Sequence, residues 1–263
     1  MNAPPNHSGL WRAQAAVRAY LHPRRHTALL VVIIAAFMVR PLIGESKGTV
    51  IMISIALIVL MLFALYTVEI DELVGERITL LAERRRRRIV GWMLAIPALA
   101  ERVVVTFVPS HRLYRFGAAS WLLFFVFITW SELRAVVKQK EVTGETISMA
   151  VSVYLLLGLC WGVLYILIFE HDPQAFNFGS APSPTSGLGY NEAHLFPVFI
   201  YFSLTTLATI GYGDITPVSL QARYAAVAEG ITGQFYLAIL VARLVGLYIT
   251  RSVSSDSRGE RAP

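Results

Sequence analysis

"TLATIGYGD", Thr206 to Asp214, sets two glycines around a tyrosine and closes on an aspartate. It overlaps the end of one apolar run, Leu195–Leu207, and precedes another, Ala222–Ile249. In a soluble protein such a stretch would be a surface turn. Between two membrane helices it means something else, because irregular backbone at membrane depth is tolerated only where protein buries it or it lines a wet cavity.

The composition favours the membrane. The chain has 263 residues, 56% of them hydrophobic and 15% charged, with a mean hydropathy of +0.58. A soluble domain carries about 25% charged residues. The formal net charge is +6, which raises nucleic-acid binding as a rival, but most of the basic residues flank apolar runs rather than forming one patch. No nucleic-acid partner is expected. The one cysteine, Cys160, lies inside an apolar run and reads as a small apolar residue. No cleavable signal peptide is expected, since no small-residue cleavage site follows the first apolar run cleanly.

A spanning helix needs about 20 mostly apolar residues. Six runs are expected to span: Thr27–Ile43, Thr49–Val68, Ile89–Val108, Gly117–Val137, Ile147–Phe169 and Ala222–Ile249. Leu195–Leu207 has 13 residues, too short to cross, which suits a re-entrant helix. Lys and Arg counts orient the chain. On one side lie Arg12, Arg18, Arg24, Arg25, Arg77, Arg84–Arg88, Arg134, Lys138, Lys140, Arg251, Arg258 and Arg261, sixteen in all; on the other lie three, Lys47, Arg112 and Arg115. Both termini are therefore expected in the cytoplasm, which requires an even number of crossings. His171–His194, rich in Pro, Gly and Ser, reads as an irregular outer loop. The polar tail after Ile249 reads as too short for a folded domain.

Within that frame the opening stretch has a chemistry. Gly211 and Gly213 allow backbone conformations closed to other residues, so that successive carbonyl oxygens can point one way. Several such loops around one axis stack rings of oxygens, which can replace the water shell of a dehydrated monovalent cation. No catalytic side chain is needed, and no enzyme activity or cofactor is expected.

The stretch resembles the selectivity filter of tetrameric potassium channels, whose core is Thr-Val-Gly-Tyr-Gly. The match covers about Leu195 to Gly246: a short apolar run, the glycine motif, Asp214 with "ITP", then a membrane helix. The resemblance implies K⁺ coordination by the carbonyls of Thr209, Ile210, Gly211 and Tyr212, with Gly213 completing the filter. It implies a pore helix from about Pro197 to Leu207 whose C-terminal dipole end favours a cation in the central cavity. Ala208 stands where the family often has a second threonine. Tyr201 and Phe202 stand where it often has two tryptophans. Tyr201 retains a donor for Asp214, whereas Phe202 has none for Tyr212. Thr205 and Thr206 read either as filter support or as simple helix packing.

The resemblance makes Ile147–Phe169 the outer pore helix and Ala222–Ile249 the inner one. Gly233 lies where the family often has a hinge glycine, and Gly230 is a competing bend point; both equally suit close helix packing. Gln234, Leu237, Val241 and Val245 fall near one helix face and are expected to line the cavity and inner gate. Arg243 reads as snorkelling at the cytoplasmic end. Glu229, in the same helix, has no evident partner. The fourth span carries nothing basic before Arg134, so the ladder of a voltage sensor is missing. Glu101 and Arg102 in the third span are the best sign of a degenerate one. Arg84, Arg85, Arg86, Arg87 and Arg88 would wrap all round a helix and read as a cytoplasmic patch, for anionic lipid or as a topology signal alone.

These readings converge on an all-α membrane protein with six transmembrane helices, a re-entrant pore helix and a selectivity-filter loop, assembled as a homotetramer in the plasma (inner) membrane. Its expected parts are a basic cytoplasmic segment (1–26), a four-helix membrane domain (27–140), a pore domain (141–250) and a short cytoplasmic tail (251–263). The expected function is passive K⁺ conduction with little or no voltage dependence. A weakly voltage-gated channel, a K⁺ uptake transporter subunit and a non-conducting membrane scaffold are the alternatives.

Overall fold

The computed structural model describes residues 24–43, 47–74, 81–107, 111–139, 141–179 and 195–259. The basic segment before residue 24 and the stretch 180–194 lie outside them. The described chain is helical: α1 Arg25–Ile43, α2 Lys47–Val74, α3 Leu81–Phe107, α4 His111–Lys138, α5 Gly144–His171, α6 Leu195–Leu207 and α7 Leu220–Gly259. Two short strands, β1 Phe176–Asn177 and β2 Thr216–Pro217, pair antiparallel with Phe176 opposite Pro217.

All six expected spans are helical over their described residues, Val108 at the end of the third lying outside them. Three stretches, Arg112–Lys138, Gly144–His171 and Leu220–Leu247, are long and apolar enough to cross a membrane. The helices outrun the apolar runs that announced them. α3 begins at Leu81 rather than Ile89, α4 at His111 rather than Gly117, and α7 continues to Gly259 through the polar tail. Apolarity marks the part of a helix in hydrocarbon; its hydrogen-bond ladder continues until a cap, Gly or Pro stops it. The arginine run is therefore helical, with Arg85, Arg86 and Arg88 exposed and Arg87 half-buried; the side chain of Arg84 lies outside the described residues. Arg112 and Arg115, which precede the expected fourth span Gly117–Val137, stand exposed in the first turns of α4.

Local chemistry sets two helix starts. Thr143 caps α5 in a capping box with Thr146. α1 is capped from outside: Glu145 of α5 accepts the backbone N–H groups of His26 and Thr27 at 3.1 and 3.3 Å, and the Thr27 hydroxyl at 2.7 Å. Beside this cap the buried His26 Nδ1 lies 3.0 Å from Glu132 of α4, which also accepts from Thr67 of α2. Polar bonds thus gather α1, α2, α4 and α5 at one end of the bundle.

The core runs from Leu29, Leu60, Met61, Phe124 and Phe125 in the first four helices to Tyr165, Phe169 and Phe199 around α6. Tyr165, Phe176, Phe199 and Phe202 pack edge to face, with centroids 4.9 Å apart for Tyr165–Phe202 and for Phe176–Phe199. The strand pair belongs to this cluster, since it brings Phe176 under the short helix. Small residues on α5 let α6 approach: a Cβ on Gly158 would meet Leu204 at 2.7 Å, and one on Gly162 would collide with Ile200.

Candidate functional site

The site is built on the end of α6. Its last turn closes with Ala208 N–H donating to Leu204 O and Thr209 N–H to Thr206 O, both at 3.0 Å. The N–H groups of Ile210 and Gly211 then both reach back to Thr205 O, at 2.8 and 3.2 Å. This pairing of Thr209 with Thr206 and of Ile210 with Thr205 is a Schellman motif, and Thr209 occupies its left-handed position, with φ +56°. Glycine is the usual residue there, and a side chain costs about 1–2 kcal/mol.

Peptide planarity gives the direction of the oxygens. In a trans peptide the C=O points opposite to the N–H of the next residue. The N–H groups of Thr209, Ile210 and Gly211 are directed at α6, so the carbonyls of Ala208, Thr209 and Ile210 face away from it. Left-handed backbone recurs at Gly211 (φ +54°) and Gly213 (φ +81°), whereas Ile210 and Tyr212 are not left-handed. The hand therefore alternates from Thr209 to Gly213. Alternation is the local condition for a ribbon whose carbonyls share one side, a row of backbone oxygens with no side chain between them and the space they face.

That space is open on the single chain. Ile210 is 54% and Tyr212 70% exposed, and nothing lies within 4 Å of a Cβ placed on Gly211 or Gly213. The loop is braced from one side. Tyr201 donates its hydroxyl to Asp214 Oδ2 at 2.9 Å and stacks parallel to Tyr212, centroids 6.4 Å apart. Phe202 turns the other way, into the aromatic cluster with Tyr165 and Phe176. Thr205 is buried with its hydroxyl on Phe202 O, and Thr206 is half-buried.

α7 runs unbroken past both glycines. Gly233 is buried against the end of α6, while no atom lies within 4 Å of a Cβ on Gly230. Gln234, Leu237, Val241 and Val245 are exposed on the single chain, as are Val227, Ile231, Phe235 and Ile239. Only 6% of the α7 span is buried, against 56% of the α5 span, so most of α7 awaits cover from lipid, water or another chain. Where α7 does pack, Tyr236 donates to Ala150 O at 2.7 Å. Arg243 binds the backbone at the end of α4, donating to Val137 O and, at 2.9 Å, to Gln139 O.

Sequence reasoning left Glu229 without a partner; the fold gives it two. It is fully buried, with Tyr165 Oη 2.6 Å from Oε2 and Ser203 Oγ 2.5 Å from Oε1. Ser203 also lies 2.7 Å from Gly158 O. Neither Tyr165 nor Ser203 carries a local signal for this role, because each is an ordinary helix residue until α5, α6 and α7 meet. In the first four helices Glu101 is buried against Gly117 of α4, which leaves no room for a Cβ there.

Residues 153–249 match a family model described as "Ion channel". Protein LctB of Geobacillus stearothermophilus is 34% identical over 91 residues, 35% of this chain and 62% of that protein. Protein LctB of Bacillus caldotenax is 30% identical over 101 residues, 38% of this chain and 71% of that protein. The chain thus spans somewhat under two thirds of the first relative's length and somewhat over two thirds of the second's. No solved structure matches.

Proposed function

The chain belongs to the ion channel family, and on that premise we propose that it is the subunit of a potassium-selective channel conducting K⁺ passively across the membrane. The observation that carries this reading is the alternating hand of the backbone at Thr209, Gly211 and Gly213, set on the end of a short helix that directs carbonyls away from itself. Thr209, Ile210, Gly211 and Tyr212 are the proposed K⁺ ligands, through backbone oxygen. One strand of oxygens cannot encircle an ion, so the reading requires several copies, four by analogy with the potassium channels that the motif resembles. The exposure of the loop and of the apolar α7 supports it. α5, α6 and α7 form the proposed pore unit. α1–α4 form a peripheral membrane domain, both termini lie in the cytoplasm, and the exposed arginines of α3 face anionic headgroups there. Gln234, Leu237, Val241 and Val245 line the cavity. A weakly voltage-gated channel is the second reading, and Arg243 favours it by tying α7 to α4.

Bi-ionic recordings from purified protein in planar bilayers test the proposal. K⁺ should be strongly preferred over Na⁺, and Gly211→Ala should abolish the current, because the methyl group penalises the left-handed backbone. Equal permeability to K⁺ and Na⁺ would sink it. Mass measurement in detergent should give four subunits, and a conducting monomer would remove the ring on which the argument depends.

A further inference from the structure

The contacts around Glu229 contain more information than a list of partners, because the protons must be shared out. Three oxygen–oxygen contacts meet there: Tyr165 Oη to Glu229 Oε2 at 2.6 Å, Ser203 Oγ to Glu229 Oε1 at 2.5 Å, and Ser203 Oγ to Gly158 O at 2.7 Å. Each contact this short needs a proton between its oxygens. The Tyr165 hydroxyl supplies one and the Ser203 hydroxyl one. A backbone carbonyl supplies none. An ionised Glu229 would leave one of the three contacts as two oxygens facing each other without a proton.

We propose that Glu229 is a neutral carboxylic acid that donates to Ser203, and that this relay, Glu229 to Ser203 to Gly158 O with Tyr165 closing the other carboxyl oxygen, positions the pore helix behind the filter. All three contacts are then satisfied. The relay joins α7, α6 and α5 at one point. Tyr165, Ser203 and Glu229 are all fully buried, and among the described residues a charge on Glu229 would have two hydroxyls to compensate it, a situation in which burial is costly. Ser203 lies between two residues that hold the loop: Tyr201, which donates to Asp214, and Thr205, whose carbonyl takes the N–H groups of Ile210 and Gly211. A pore helix fixed at Ser203 therefore fixes both attachments. Glu229 is not among the proposed K⁺ ligands; it acts through the helix. The inference rests on the proposed channel function only for its conduction readout.

The experiment compares full-length wild type, Glu229→Gln, Glu229→Ala, Ser203→Ala and Tyr165→Phe in detergent and in bilayers. Glutamine reproduces the neutral acid, since its amide N–H donates to Ser203 and its oxygen accepts from Tyr165. The wild-type-minus-Gln infrared difference spectrum should show the carbonyl band of a protonated carboxylic acid at neutral pH. Bands of an ionised carboxylate would overturn the proposal. Amide exchange across Phe199–Leu207 should stay at the wild-type level in Glu229→Gln and rise about tenfold in Glu229→Ala, as Ser203 and Tyr165 lose a buried partner. The K⁺ over Na⁺ preference should follow the same order. Wild-type exchange in Glu229→Ala, or a glutamine variant as damaged as the alanine one, would each refute the positioning role. A wild type that conducts without K⁺ preference would count against the proposed function, while the infrared and exchange results would still decide this inference.

Discussion

Gly233 of α7 lies against Leu207 at the end of α6, so closely that a Cβ on Gly233 would stand 2.5 Å from the Leu207 carbonyl oxygen. α7 thus meets α6 at the turn that launches the loop. A backbone oxygen cannot swing aside as a side chain can, and overpacking of this kind costs about 1–3 kcal/mol. Gly233→Ala should lower the thermal midpoint of the purified protein, whereas Gly230→Ala, with open space around it, should leave the midpoint unchanged or raise it. The reverse order would place the crowded contact at Gly230, against another copy.

Thr209 is held in a left-handed conformation that glycine adopts freely. Thr209→Gly should release about 1–2 kcal/mol and raise the thermal midpoint by a few degrees. The same change removes the hydroxyl and loosens the chain at the proposed inner K⁺ site, so K⁺ preference should fall. Differential scanning fluorimetry and bi-ionic potentials should move in opposite senses; a variant that is both less stable and fully selective would contradict the assignment of strain.

The Tyr201–Asp214 bond braces the loop from the helix side and is exposed, so its net worth is about 0.5–1.5 kcal/mol. Tyr201→Phe keeps the ring stacked on Tyr212 and removes only the donor. Open events in single-channel records should shorten by about two- to tenfold, with unit conductance preserved. Unchanged open times would show that the bond does not hold the conducting form.

Arg243 caps the carbonyls at the end of α4, the favourable place for a cation on a helix dipole. Arg243→Ala should free α7 from α4 at a cost of about 1–2 kcal/mol. Amide exchange over Arg134–Gln139 should rise, and spin labels on the two helices should report a broader distance distribution. A distance distribution as narrow as the wild type's would mean that the packing of Tyr236 and Leu240 of α7 against the cluster of Val136, Met149 and Val153 holds this junction unaided.

Voltage sensitivity should be weak. One charge crossing the membrane is worth about 2.3 kcal/mol per 100 mV. α4 presents Arg112 and Arg115 at its start and Arg134 near its end, with Arg134 over the Trp130 ring at 4.9 Å. The two arginines at its start are exposed on the helix rather than stacked along a buried path. Conductance should vary shallowly with voltage; a steep sigmoid that flattens in Arg112→Gln/Arg115→Gln would reveal a working sensor.

The glycine-spaced loop, the short helix before it and the positions of the six longer helices were legible in the residues alone, because each depends on a local property. Glycine spacing licenses left-handed backbone, and apolar length marks a helix that can cross a bilayer. The limits of the helices were less legible, since α3, α4 and α7 extend as ladders of backbone bonds beyond the apolar residues that signal them. The tertiary structure alone decided the polar contacts between helices. Glu145 caps α1 from 118 or 119 positions away, Glu229 joins Ser203 and Tyr165, Arg243 reaches Gln139, and Phe176 enters the core through a two-residue strand pair. Each pairs groups distant in sequence, and a carboxylate or hydroxyl shows no preference for a partner until packing removes water and leaves it one.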